Sequence, residues 1–162
     1  MRISHIPPRL ATGAFILNSG LTKLNADDDT AKNLRSMAAG AFPAFGDVEP
    51  QTFAKTLALG EITLGSALMA PFVPSWLAGS ALTAFSGGLV RMYLRTPGMT
   101  QEDGVRPTQK GTPFAKDIWM LGTGLGLVLD SITTPRRRKT KRHTAHRVSA
   151  RRQPVRALSK GA

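Results

Sequence analysis

The 162-residue chain contains no cysteine. That absence excludes disulfides, thiol redox chemistry, iron–sulfur clusters and cysteine-ligated zinc. Histidine is scarce as well. His5, His143 and His146 all lie in polar ends of the chain, so no apolar segment offers the ligands of a bis-histidine haem. His143 and His146 have no third or fourth ligand type beside them, and no metal site is expected. Residues 135–162 lack both acidic and aromatic side chains. Such a stretch cannot bury a core, and a disordered tail is expected there.

The charge is divided as unevenly as the composition. Residues 1–134 carry eleven Lys and Arg against ten Asp and Glu, a net of +1, whereas residues 135–162 carry eleven basic residues and a net of +11. A split this sharp marks a nearly neutral body and a separate basic interaction tail. Arg136, Arg137, Arg138, Lys139, Lys141 and Arg142 follow an apolar segment directly. That arrangement suits anionic lipid headgroups, at about 1 kcal/mol per residue near a surface. Nucleic acid is the competing polyanion and the less favoured one.

The body holds four apolar segments. Spans are expected at about 7–24, 53–73, 76–94 and 114–132, the third of them reading WLAGSALTAFSGGLVRMYL. The runs 62–77, 76–90 and 119–129 contain no charge. A helix on the surface of a water-facing bundle carries several charges on its outer face. The expectation is therefore an all-α, integral membrane four-helix bundle over residues 1–134 with a disordered basic tail over 135–162. The N-terminal stretch also has the basic and apolar regions of a signal peptide, but no small-residue cleavage site follows it, which favours a retained first helix. Pro7 and Pro8 suit the first turn of that helix. The Asp27–Asp28–Asp29 run can cap a short amphipathic helix over residues 30–42. The bias of Lys and Arg toward Arg2, Arg9 and the tail places both termini in the cytoplasm of a multi-pass plasma-membrane protein.

Ionisable groups within apolar segments mark functional sites or interhelical clamps. Sorting them by helical rise brings Asn18, Lys23, Glu61, Arg91 and Asp117 into one half of the bundle. Glu61 lies deepest. It is either a proton-handling or headgroup-binding group, or a clamp that fixes packing. Asp130, at the far end of its helix, is expected to be solvated or paired with neighbouring arginines. Small residues form a second pattern. Gly79, Thr83 and Gly87 share a face, Gly122 and Gly126 form GxxxG, and Gly60 and Gly65 fall in one segment. All permit close helix approach.

Three of these stretches carry a family resemblance. Ser19-Gly20-Leu21-Thr22-Lys23 closes the first apolar segment, Gly60-Glu61-Ile62-Thr63-Leu64-Gly65 centres the second on a glutamate, and Lys116-Asp117 opens the last. Together they resemble the motifs of DoxX-like small bacterial membrane proteins over about residues 9–132. The resemblance implies a four-helix membrane protein. It further implies a non-catalytic component or partner of a membrane redox assembly, with Lys23, Glu61 and Asp117 as its polar site. The same resemblance leaves one alternative, a quinone-binding oxidoreductase subunit; the basic tail, which lies outside the resemblance, leaves another, a membrane tether with a polyanion-binding tail. The chain lacks the cysteines that thiol-active membrane oxidoreductases of this kind use, so it is expected to bind a quinone or a partner and not to act as an enzyme on its own; assembly with itself or a redox partner is expected.

Overall fold

The computed structural model describes residues 2–133. Among them the protein is all-helical. After a short 3-10 turn at Ile3–His5 come α1 (Ile6–Lys23), α2 (Asp28–Ala41), a second 3-10 turn (Pro43–Phe45) and α3 (Pro50–Met69). Then follow α4 (Ser75–Arg95), the single-turn α5 (Thr112–Ala115) and α6 (Ile118–Thr133).

Local chemistry sets most of the boundaries. Pro7 and Pro8 occupy the first turn of α1, where a missing N–H leaves nothing unpaired. Asp27 caps α2, its Oδ1 accepting the Thr30 amide at 2.8 Å. Hydrogen bonding from Thr30 holds the Asp27 carboxyl below the usual carboxylate range. Glu49 caps α3, accepting the amides of Gln51 at 3.0 Å and Thr52 at 2.6 Å. The α3–α4 turn runs through Pro71 and Pro74.

Two antiparallel helix pairs make the body: α1 against α3, and α4 against α6. Each pair closes on glycine. A Cβ at Gly65 would lie 2.7 Å from the Gly13 carbonyl oxygen, and a Cβ at Gly124 would lie 2.8 Å from the Thr83 amide nitrogen. Neither helix could hold its place with a larger residue there. Of the small residues singled out above, Gly65, Gly79 and Thr83 line these seams. Gly60, Gly87, Gly122 and Gly126 have no neighbour within 4 Å of a Cβ.

The pairs share one core. Ile16, Leu64, Leu68, Ala78, Leu82, Met120 and Leu127 pack together. Phe15 of α1 meets Trp119 of α6 edge-on at 6.3 Å between centroids. Helix α2 lies across α3 and α4 and buries Ala31, Ala38 and Ala41.

The expectation of an integral membrane bundle is overturned. Among the described residues, no helix is long and apolar enough to cross a membrane. The reasons are specific to each helix. The most apolar one, α6, has 16 residues, or roughly 24 Å against a hydrocarbon core of about 30 Å. Lys116 and Asp117, which were to open the fourth span, fall outside it, because the chain first forms the separate turn α5. In α1 the 18 residues include Arg9, Asn18 and Lys23. Helix α3 carries Lys55 and Glu61, and α4 carries Arg91 and Arg95. The Gly, Ala, Ser and Thr residues that make charge-free runs in α3 and α4 are only weakly apolar. With the spans go the multi-pass plasma-membrane placement, the cytoplasmic assignment of both termini and every membrane descriptor drawn from them. The tail, including Arg136, Arg137, Arg138, Lys139, Lys141 and Arg142, lies outside the described residues.

Candidate functional site: a buried ion cluster and an apolar groove

Lys23, at the last turn of α1, reaches across to the middle of α3. Its Nζ donates to both Glu61 carboxylate oxygens, at 3.0 and 2.9 Å, and to Ser19 Oγ at 2.5 Å. Glu61 is 4% exposed. Gly20 permits the approach, since a Cβ there would stand 2.9 Å from Glu61 Cβ. Ser19 and Lys23 are one turn apart, so the hydroxyl shares the ammonium with the carboxylate.

Asp117, at the junction of α5 and α6, completes the cluster. It is buried, and within electrostatic reach of Lys23 and Glu61. Burial pushes its carboxyl above the usual range; Lys116 and Lys23 oppose that shift, and Glu61 adds to it. The sign of the consequence follows. A raised folded-state pKa means that the folded chain holds this proton more readily than the unfolded chain. The Asp117 contribution therefore falls as pH rises from the ordinary carboxyl value of about 3.9 through the raised folded-state value. Asp117→Asn is expected to raise the melting temperature at pH 7 and to give no gain near pH 3. Thermal melts at the two pH values check this.

The other two residues expected in this cluster lie elsewhere. Asn18 is exposed, and its backbone carbonyl accepts the Thr22 hydroxyl at 3.0 Å. Arg91 turns toward α2. Its Nε donates to the Ala41 carbonyl at 3.1 Å, and its guanidinium stands 4.8 Å over the Phe42 ring.

Two polar sites at the opposite end of the bundle have no counterpart among the expected site residues. Arg9 is fully buried. It donates to the carbonyls of Leu68, Val73, Ala67 and Ala70 at 2.7 to 2.9 Å, and to Ser75 Oγ at 3.1 Å. Burial pulls its guanidinium below the usual value. The available signal was an arginine lying inside a helix and not before it. Asp130 pairs with Arg2 and with His5, whose Nε2 lies 2.5 Å from Asp130 Oδ2. Among the described residues Arg2, at the N-terminus, pairs with it; Arg136 to Arg138 fall outside the described residues.

An apolar groove lies between α3 and α4 and runs under α2. It holds about 940 Å³. Leu34, Ala38 and Phe42 roof it, Leu57, Gly60 and Leu64 form one wall, and Phe85, Gly88 and Met92 form the other. Thr56 and Thr63 also line it, but both hydroxyls donate to carbonyls of their own helix, at 2.8 Å. The groove therefore offers an apolar wall with its polar atoms already satisfied.

Comparison with protein-family models, curated proteins and solved structures finds no match. The fold and its two sites define an all-helical protein with an apolar groove beside an internal ion cluster.

Proposed function

We propose that this chain is a non-catalytic binding component, which holds the apolar chain of a lipophilic molecule in the groove between α3 and α4. The observation that carries this is the groove itself. Its volume of about 940 Å³ falls in the range of small-molecule sites, about 300–1,000 Å³. No acid, base or cysteine lines it, so it offers binding surface without groups to make or break bonds. The Lys23–Glu61 pair sits in the α1–α3 seam and acts as a clamp between those helices. The DoxX-like resemblance adds a first ligand to try, a quinone with an apolar tail, and a setting, a redox assembly. A second reading, assembly with a further copy or a partner, is favoured by one observation. Ile118, Leu125, Leu129 and Ile132 recur on one face of α6 and are all exposed.

Groove filling tests the main reading. Gly60 and Gly88 both line the groove, and a Cβ at either meets nothing within 4 Å. Gly60→Leu and Gly88→Leu should each fill it without a clash. Binding of Nile red to the full-length chain, and its displacement by decylubiquinone, should weaken about tenfold or more. The melting temperature should hold or rise, because leucine favours a helix over glycine by up to ~1 kcal/mol. Unchanged dye binding in both variants would refute the groove as a ligand site.

A further inference from the structure

We infer that the groove takes single-chain amphiphiles with an anionic head, and that Arg91 recognises the head. This rests on the groove being a ligand site and adds the class of ligand. Arg91 lies one turn beyond Gly88 and beside Met92, both groove residues. Its guanidinium covers the ring of Phe42, which roofs the same groove. Only Nε is engaged, by the Ala41 carbonyl. The two terminal nitrogens have no hydrogen-bond partner among the described residues, and the side chain is exposed. An arginine held by one edge over an aromatic ring keeps its outer fork for a carboxylate or phosphate.

The charge around it fits that use. Among the described residues no carboxylate lies within ion-pair distance of Arg91 or of Arg35. Arg35, on α2, donates to the Gly46 carbonyl at 2.5 Å, next in sequence to the groove residue Phe45. Its Nε is buried without a partner. Of the two acids that flank the groove residue Val48, Glu49 is committed to the amides that start α3, and Asp47 is exposed and makes no ion pair with either arginine among the described residues. An apolar groove thus has, against its roof residue Phe42, an arginine whose terminal nitrogens are unengaged. A neutral ligand leaves those nitrogens unanswered, and an anionic head answers them.

The test is displacement of Nile red from the full-length chain at pH 8 by hexadecanoate, hexadecyl phosphate, hexadecanol and decylubiquinone. Both anions are expected to compete about tenfold better than the alcohol. Arg91→Gln should erase that preference while leaving hexadecanol unchanged, and Arg91→Lys should retain part of it. Gly88→Leu should weaken all four ligands. If the acid, the phosphate and the alcohol compete equally, or the quinone alone competes, the head-group inference falls and the groove stands. If none competes and Gly88→Leu binds dye as the parent does, the groove reading falls as well. Retention of the parent melting temperature separates lost recognition from lost folding. If Arg91→Gln lowers it, Arg91→Lys decides: a preference lost there too overturns the role of Arg91.

Discussion

Arg9→Ala is expected to destabilise the protein by about 3–5 kcal/mol, a fall in melting temperature of roughly 10 °C or more. The last four carbonyls of any helix lack partners within it. At the end of α3, Ala67, Leu68 and Ala70 turn theirs toward Arg9, as does Val73 in the following turn. One guanidinium thus closes α3, fixes the α3–α4 turn and reaches Ser75 at the start of α4. Alanine would leave those partly buried carbonyls without their donor and would empty the volume of the fully buried side chain. Arg9→Lys should recover only part of the loss. A lysine brings three donors on one atom, and the carbonyls are spread around a planar fork. Arg9→Met tests the packing share alone, since it refills much of the space without a donor. Denaturant melts of the three variants should rank Lys above Met above Ala. A loss below about 1 kcal/mol in the alanine variant, the scale of an exposed ion pair, would show that the network contributes little.

Arg9 also shows where the sequence is hard to read. As one basic residue among several near the N-terminus, it reads as a flanking charge. Only the turn of α3 reveals the ring of carbonyls that receives it, and that turn is nearly sixty residues away in the chain. Local signals fare better. Pro7 and Pro8 mark the start of α1, Asp27 the start of α2, and the 71–74 prolines the α3–α4 turn. The Glu49 cap is missed when apolarity alone sets the boundary, so α3 begins at Pro50 and not at 53.

Helical rise gives the height of a residue but not its direction. The closeness of Lys23 and Glu61 is legible from height, because both also face the α1–α3 seam. Arg91 stands at a similar level, but its position around α4 turns it to α2. The glycines teach the same point. Gly122 and Gly126 share a face through GxxxG spacing, yet Gly124, half a turn round from both, is the one that meets α4. The membrane expectation failed on composition. A run without charge is not thereby strongly apolar: glycine, alanine, serine and threonine make up much of those in α3 and α4, and small residues allow close helix packing with or without a membrane.

Lys23→Met is expected to cost about 3 kcal/mol, and Glu61→Leu less, about 1–2 kcal/mol, with the double variant close to the parent. The asymmetry comes from what each change leaves behind. Without Lys23, the Glu61 carboxylate is buried within electrostatic reach of Asp117, and both are acids. Repulsion then adds to desolvation. Without Glu61, Lys23 keeps its bond to Ser19, and its side chain, 20% exposed, can turn to water. Asp117 also remains within reach as a counter-charge. Removing both charges takes away the attraction and both desolvation penalties together, and the space is refilled by apolar groups. Urea unfolding of the parent, the two single variants and the double variant closes a thermodynamic cycle. With the double variant near the parent, those single losses amount to a coupling of about 4 kcal/mol, carried by an ammonium that engages both oxygens of a buried carboxylate. Strict additivity would mean that the ammonium and the carboxylate do not sense one another, and the clamp between α1 and α3 would then rest on the glycine contacts alone.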